Sequence, residues 1–121
     1  GLISCAPATP LRGVARLMAK FAVHAVFVFD YGDEDDEAKE LWGLVSDLDL
    51  VAGAWADMGG RTAGGSAVTP LVTVGADEPL ERASELMASY GTSHLAVLDA
   101  ASGRPVGVLS TLDIARVIAD S

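Results

Sequence analysis

The sequence contains a single cysteine and few basic residues. Because Cys5 is the only thiol, an internal disulfide and a metal site made of cysteines alone are both excluded. The chain has 8 Lys and Arg residues against 17 Asp and Glu residues, which gives a net charge of −9. Binding to nucleic acid or to an anionic membrane surface needs a basic face, so this shortage of positive charge argues against both partners.

Long apolar runs are also missing. A membrane-spanning helix needs roughly 18 consecutive apolar residues, whereas the longest stretch near the start, Val23 to Phe29, is interrupted by His24 and has the length of a strand. No basic segment followed by a long apolar one marks a signal peptide. The chain opens on Gly1 rather than Met, so we expect a start that was processed or cut. These features predict a cytoplasmic protein without membrane insertion.

The chain contains an internal repeat. Residues 3–30 align without gaps with residues 72–99 at seven identities in 28, and residues 42–50 align with residues 106–114 at four identities in nine. Between these blocks the first copy carries five extra residues, which fall in an acidic run at 32–37. Half of the 121 residues are hydrophobic, enough for a real core. The repetition predicts two copies of one folding unit.

Each copy has the same order of elements. A short strand precedes a helix with apolar residues at helical spacing, and a two-stranded hairpin and a short helix follow. Thr9 before Pro10 and Asp77 before Pro79 are expected to mark the helix starts. The predicted fold class is α/β of the α+β type, with two βαββα repeats packed as a pseudo-two-fold pair. The predicted strands are 2–5, 25–29, 42–45, 71–74, 94–98 and 106–109, and the predicted last helices are 47–56 and 111–119.

The repeats are predicted at residues 1–56 and 68–121, with a glycine-rich linker at 57–67. The glycines of this linker suit a flexible surface connector, and the stretch lacks the flanking strand, helix and pattern of a phosphate-binding loop. One unit of about 50 residues is only marginally stable alone. Two units packed sheet to sheet would bury their apolar faces and form a pocket between them.

The complete order of residues resembles the CBS (cystathionine-β-synthase) domain, present twice over about 2–56 and 68–120. The pattern is a small apolar strand, Pro-Leu, a helix ending in Leu-Met, a His-Ala-Val or His-Leu-Ala-Val strand, Asp, a hairpin, Gly-x-x-Ser-x-x-Asp and a helix. The resemblance implies a Bateman module, a non-catalytic pair that regulates an attached or separate protein and forms a homodimer. It also implies AMP, ADP, ATP, S-adenosylmethionine or an NAD-type molecule as regulatory ligand in the cleft, with no required cofactor.

Two Ser-x-x-Asp pairs are candidate ligand-binding residues. Ser46 with Asp49, and Ser110 with Asp113, each follow a strand and open a short helix, where unpaired backbone N–H groups favour anions. The resemblance implies that the Asp accepts hydrogen bonds from ribose hydroxyls and that the Ser binds phosphate. Ser-x-x-Asp is also close to a capping box, in which the two side chains satisfy backbone donors at the helix start. The sequence leaves both interpretations open.

The start of each middle strand is a second candidate region. The resemblance implies that two positions there supply basic contacts to phosphate, and here they are His24-Ala25 and Ser93-His94. Each pair has one His and no Arg or Lys. The charge of a His is conditional near neutral pH, so the pattern favours a monophosphate or nucleoside-type ligand over a polyphosphate. A hydrogen-bonded structural His is the alternative.

Four further residues complete the candidate site. Ser4 and Thr73 lie on the first strands, where the resemblance implies an approach to the adenine ring. Arg104 in the second hairpin and Arg116 on the last helix are the candidate phosphate contacts. Their counterparts in the first copy are acidic or small, so phosphate binding is expected to differ between the copies. A solvated surface position is the alternative for each Arg.

Catalysis is not expected. Cys5 has no basic neighbours in sequence, and His24 and His94 do not form a metal-binding spacing. The acidic run at 32–37 lacks the spaced pattern of a calcium loop and is expected to be a solvated hairpin tip, with no metal bound. The alternative to a ligand sensor is a ligand-free dimerisation or docking scaffold.

Overall fold

The computed structural model describes residues 2–31, 39–53, 60–67 and 71–121. The chain divides into two compact units, Gly1–Pro70 and Leu71–Ser121. Each unit has one three-stranded sheet, with strand order β1-β2-β3 in the first and β4-β5-β6 in the second. The acidic run at 32–37 lies outside the described residues.

The first unit follows the predicted βαββα order and adds one helical turn. β1 pairs parallel with β2, and β2 pairs antiparallel with β3. Side chains alternate across a strand, so Cys5, Val26 and Val45 face the helices and pack with Leu11 and Val14 of α1 in one core. The elements are β1 (Ser4–Cys5), α1 (Leu11–Phe21), β2 (Ala25–Tyr31), β3 (Lys39–Ser46), α2 (Asp47–Gly53) and α3 (Ala63–Ser66).

The second unit repeats this topology. β4 pairs parallel with β5, and β5 pairs antiparallel with β6. Its smaller core joins Val74, Ala83, Met87 and Leu95. The two sheets and the element order confirm the predicted α+β class and its two βαββα repeats. The elements are β4 (Thr73–Gly75), α4 (Leu80–Tyr90), β5 (His94–Leu98), β6 (Pro105–Ser110) and α5 (Thr111–Ala119).

The long helices begin directly after proline. Pro10 and Pro79 occupy the N-cap positions of α1 and α4 with extended backbone, and neither helix start has a side-chain capping bond within the described residues. Thr9 and Asp77 therefore mark the helix starts to within three residues, as expected, but neither side chain caps its helix. The fixed φ of proline sets the start instead, because it suits the extended backbone that precedes a helix.

The glycine-rich stretch contains α3, which the sequence reading missed. Instead of a flexible connector, residues 60–67 include a helical turn packed on the first unit, and Ala63 is fully buried in its core. The Ala63 N–H donates to the Thr9 carbonyl at 2.8 Å. A Cβ on Gly64 would lie 2.8 Å from the Pro7 Cβ, so only glycine permits this close approach. Residues 57–59 of the predicted linker lie outside the described part.

Within the described residues, no helix is both long and apolar enough to cross a bilayer.

Candidate functional site

The Ser110–Asp113 pair lies at the start of α5. One carboxylate oxygen, Asp113 Oδ2, accepts hydrogen bonds from the Ser110 N–H at 2.7 Å and from the Ser110 hydroxyl at 2.9 Å. The Asp113 N–H lies 3.3 Å from the Ser110 Oγ, which completes a capping box. The capping interpretation of this motif is therefore realised in the structure.

The Ser46–Asp49 pair repeats this geometry at the start of α2. Asp49 Oδ2 accepts from the Ser46 N–H at 2.8 Å and from the Ser46 hydroxyl at 3.0 Å. Among the described residues, Oδ1 of Asp49 and Oδ1 of Asp113 accept no hydrogen bond. Capping thus fixes each carboxylate in place through one oxygen and leaves the other as an acceptor, so capping and ligand binding are compatible.

The candidate residues of each repeat lie on one sheet face. In the first sheet Ala25 is opposite Ser46, and Ser4 is opposite Phe27 in the neighbouring row. Because Cys5, Val26 and Val45 face the helices, alternation places Ser4, Ala25 and Ser46 on the other face. Phe27 also lies on that face and is 1% exposed. The sequence reading did not single out Phe27, although strict alternation along β2 would have indicated its position.

The second sheet has the matching arrangement. His94 is opposite Ser110, and Thr73 is opposite Ala96 in the neighbouring row. Val74 and Leu95 pack towards the helices, so Thr73, His94 and Ser110 share the opposite face. The structure therefore brings His94 next to the Ser110–Asp113 motif, whereas the first repeat has Ala25 at the corresponding position.

His24 is engaged by a neighbouring carboxylate. Its Nδ1 lies 3.0 Å from Asp47 Oδ2, and its carbonyl accepts the Asp47 N–H at 2.9 Å. The His24 side chain is 74% exposed, so this pair contributes little to stability. When His24 is protonated, Asp47 compensates its charge locally, which weakens it as a phosphate contact.

His94 has a different setting. It is half-buried, and its Nδ1 lies 2.9 Å from the hydroxyl oxygen of Ser93. The Ser93 carbonyl accepts the Thr111 N–H at 3.0 Å, which anchors the start of β5 to the start of α5.

The two candidate arginines lie at different distances from this motif. Arg104 precedes Pro105, which pairs with Leu98 at the end of the hairpin opposite to the His94–Ser110 pair. Ser110 is five residues further along β6 than Pro105, which corresponds to about 16 Å. Arg116 is on α5, three residues after Asp113, and so lies about one helical turn away on a neighbouring face. Both arginines are exposed.

Cys5 is buried in the core of the first unit. Burial raises the pKa of the Cys5 thiol above its ordinary value of 9.0, and a hydrogen bond with the Thr9 side chain opposes part of this rise. The thiol is therefore neutral at physiological pH. A neutral, buried thiol is a poor nucleophile.

Comparison with known proteins gives one family and a set of similar structures. The CBS domain model matches the chain twice, over residues 1–54 and 66–120. A search of curated protein sequences gives no match. The chain belongs to the CBS domain family, and CBS domain pairs are generally regulatory and non-catalytic.

Three solved CBS structures illustrate the likeness. The CBS domain pair of protein MJ0100, in complex with 5′-methylthioadenosine and S-adenosyl-L-methionine, is 19% identical with a TM-score of 0.80, covering 99% of this chain and 90% of that one. Protein PAE2072 from Pyrobaculum aerophilum, complexed with AMP, is 24% identical with a TM-score of 0.78, covering 99% and 92%. CBSX2 from Arabidopsis thaliana, in complex with AMP, is 25% identical with a TM-score of 0.72, covering 98% and 88%.

Proposed function

We propose that this chain is a regulatory module that binds an adenine-containing ligand. The observation that carries the proposal is the repeated Ser-x-x-Asp geometry, in which Asp49 and Asp113 at two helix starts each have one carboxylate oxygen that accepts no hydrogen bond from the described residues. Similar structures that contain AMP, 5′-methylthioadenosine or S-adenosylmethionine support this ligand class.

The second repeat is proposed as the stronger binding half. Asp113 would accept hydrogen bonds from the ribose hydroxyls, and the Ser110 region would lie near the phosphate. His94 pairs across the strands with Ser110, so its protonated form would add a positive charge there. In the first repeat the equivalent of His94 is Ala25, and His24 lies beside Asp47.

The remaining candidates complete the proposed site. Ser4 and Thr73 occupy the row next to Ala25–Ser46 and His94–Ser110 on each sheet, where they would approach the adenine ring. Of the candidate phosphate contacts, Arg116 is favoured over Arg104 because it lies one helical turn from Asp113, whereas Arg104 is at the far end of its hairpin.

We propose AMP or an S-adenosylmethionine-type molecule rather than ATP as the preferred ligand. Neither start of a middle strand carries Arg or Lys, and the whole chain has a net charge of −9. A triphosphate would meet a repulsive field with few local cations to offset it. A monophosphate, or a nucleoside with a cationic sulfur, needs less compensation.

Regulation requires that the ligand bind one state of the module better than another. We propose that the chain acts in the cytoplasm as a homodimer and transmits ligand binding to an attached or separate protein. The apolar side chains Leu112, Val117 and Ile118 of α5 are exposed, and contact with a partner would remove their apolar surface from water.

Isothermal titration calorimetry with AMP, ATP, S-adenosylmethionine, 5′-methylthioadenosine and NAD tests the proposed function. We expect saturable binding of AMP or S-adenosylmethionine and at least tenfold weaker binding by Asp113→Asn. Asp120→Asn, at the other end of α5, is the matched control and should bind as the wild type does. Absence of heat from every ligand at millimolar concentration would end this proposal.

The alternative is a ligand-free dimerisation or docking scaffold. The absence of Arg and Lys from the starts of the middle strands, together with the exposed apolar residues of α5, favours it. A binder gains thermal stability from its ligand by mass action, so the scaffold predicts the same melting temperature with and without each nucleotide. It also predicts a molecular mass that rises with protein concentration, and a strict monomer would contradict it.

A further inference from the structure

The long helices α1 and α4 carry opposite charges at the same positions of the repeat. Arg12 and Arg16 of α1 align with Glu81 and Glu85 of α4, and the two charged residues of each helix are one turn apart on the same face. All four residues are exposed. The two units therefore present the same helix surface in a basic and an acidic version.

The surface of α1 is basic along its whole length. The helix contains no Asp or Glu, and Lys20 continues the line of Arg12 and Arg16 at the next turn. Within the described residues, neither arginine forms an ion pair. These three residues belong to only 8 Lys and Arg in a chain with a net charge of −9, so the positive charge is concentrated here. Such a surface attracts an acidic one.

The surface of α4 is acidic. Glu81 and Glu85 lie on the helix, and Asp77 and Glu78 are exposed directly before it. Arg82 is the single base of this helix, and its Nη1 lies 3.7 Å from Glu85 Oε2. Both side chains of this pair are more than half exposed, so the pair is weak and the surface as a whole stays acidic.

Small side chains lie beside the charges on both helices. Ala15 and Ala19 of α1 occupy the same repeat positions as Ser84 and Ala88 of α4. A mainly apolar cavity of about 290 Å³ opens next to Ser84 and Ala88, between α4 and α5. The distance between two packed helices depends on the side chains at their contact, so these small residues permit another helix to approach closely.

The charges determine which helices of two copies can meet. Pairing α1 with α1 would oppose arginines, and pairing α4 with α4 would oppose glutamates, so both pairings of like helices are repulsive. Pairing α1 with α4 sets arginine against glutamate. Arg16 and Glu85 lie at the middle of their helices, so they come together whether the two helices run parallel or antiparallel.

We propose that α1 of one copy of this chain packs against α4 of a second copy, and that the reversed charges exclude the pairing of like helices. In a two-fold dimer each contact is made twice, once in each direction, so the Arg16–Glu85 contact also occurs twice. This inference rests on the homodimer of the proposed function but does not depend on the ligand.

Two charge-reversal variants test this contact by analytical ultracentrifugation. Arg12→Glu/Arg16→Glu makes both helix surfaces acidic, and Glu81→Arg/Glu85→Arg makes both basic. Each variant replaces attraction by repulsion in both contacts, so each should raise the dissociation constant of the dimer at least tenfold. The second variant lowers the net negative charge of the chain, so general repulsion between copies would strengthen its dimer rather than weaken it.

The two variants also serve as controls for each other. In an equimolar mixture, the acidic α1 of one variant meets the basic α4 of the other, so a heterodimer should form with an affinity within about threefold of the wild type. The chain with all four substitutions keeps the wild-type net charge and should dimerise equally well. Recovery in both cases would show that the single variants are folded.

Cross-linking identifies the paired helices. In a Cys5→Val background, chains with Arg16→Cys are mixed with chains with Glu85→Cys and treated with a short bis-maleimide. We expect a cross-linked dimer from the mixture and none from either variant alone. The mixed dimer keeps one unaltered Arg16–Glu85 contact, because the contact is made twice, and so it still forms.

Two kinds of result would overturn the inference, and they differ in what they imply for the homodimer. A wild-type dimer that both charge reversals leave unchanged, or a cross-linked dimer from Arg16→Cys alone, would overturn the pairing of α1 with α4 and leave the homodimer intact. A wild type that stays monomeric at millimolar concentration would overturn the pairing and the homodimer together. Ligand binding is measured separately by the calorimetric titration.

Discussion

Ala22 and Gly91 end the two long helices with the same left-handed backbone. Their φ angles are 52° and 62°, and their N–H groups donate to the carbonyls of Met18 and Met87 respectively. Glycine adopts this conformation without a steric penalty, whereas an L-residue with a Cβ is strained there by about 1–2 kcal/mol. The same left-handed position is therefore occupied by glycine in the second repeat and by the less suitable alanine in the first.

Replacing Ala22 with glycine should stabilise the protein. Relief of the Cβ strain outweighs the greater freedom of glycine in the unfolded chain, which costs about 0.5–1 kcal/mol, so Ala22→Gly should gain about 0.5–1 kcal/mol. Gly91→Ala, the reverse change in the other repeat, should lose about 1 kcal/mol. Urea unfolding of both variants measures these free energies, and a loss of stability in Ala22→Gly would contradict the assigned backbone.

The capping box of α5 should contribute measurably to stability. Ser110→Ala removes the hydroxyl that lies 3.3 Å from the Asp113 N–H and donates to the Asp113 carboxylate. The expected loss is about 1 kcal/mol in the free energy of unfolding without ligand. Ser89→Ala, at an exposed position on α4, is the control and should change stability by less than about 0.5 kcal/mol. If the two variants were equally stable, the cap would have no energetic role.

Asp99 makes the second hairpin sensitive to acid. Hydrogen bonds from the Ser102 hydroxyl and N–H lower the pKa of the Asp99 carboxyl below its ordinary value of 3.8. The folded state therefore favours the ionised form, and this stabilisation is present above the ordinary pKa and is lost as pH falls through the lowered one. Asp99→Asn should be less stable than the wild type at pH 7, and the difference should shrink towards pH 2.

Melting temperatures of wild type and Asp99→Asn across this pH range measure the effect. Ser102→Ala keeps the carboxyl but removes its hydroxyl donor, so it should show part of the same change. A constant difference between wild type and Asp99→Asn at all pH values would show that the Asp99 charge is not stabilised by this turn.

Cys5 should make the fold sensitive to alkali. Because burial raises the pKa of its thiol, the unfolded chain ionises first, and the free energy of unfolding should fall as pH rises past 9.0. Cys5→Val introduces the residue that the second repeat has at Val74, a change of similar volume that should cost less than about 1.5 kcal/mol at pH 7. This variant should lose less stability than the wild type between pH 8 and pH 10 in urea titrations.

Native Cys5 should also react slowly with a thiol reagent, at a rate that rises when urea unfolds the chain. Fast labelling of the native protein at pH 7 would contradict its burial.

The order of elements could be predicted because the information is local and repeated. The apolar spacing of α1 and α4 and the turn residues between strands recur in both copies, so each copy supports the reading of the other. The helical turn α3 could not be found in this way. Four residues are too few for a helical period, and Gly64 and Gly65 disfavour a helix by themselves. Ala63 and Gly64 are ordered by contacts with Pro7 and Thr9, which the sequence does not reveal.

The candidate site could be predicted only in part. The repeated motif indicated the Ser46–Asp49 and Ser110–Asp113 pairs, because helix starts have a strong residue signature. Phe27 was not singled out because β2 is apolar on both faces, so only its place in the strand, and not its residue type, distinguishes the face on which it lies. The surroundings of His24 and His94 differ because His24 contacts Asp47 and His94 pairs with Ser110. These residues come next to the two histidines only when the hairpins form.

Because Ala63 is buried in the first core, the first folded unit extends beyond α2. A protein cut after α2 would keep every strand of the first sheet but would expose Leu11 to water. Three backbone groups at the start of α1 would also lose their hydrogen-bond partners. The first unit therefore needs the chain up to Ala67 to keep its core covered and these backbone groups bonded. For the same reason, a flexible linker of equal length could not replace residues 61–67. These residues connect the two units and also cover the core of the first one.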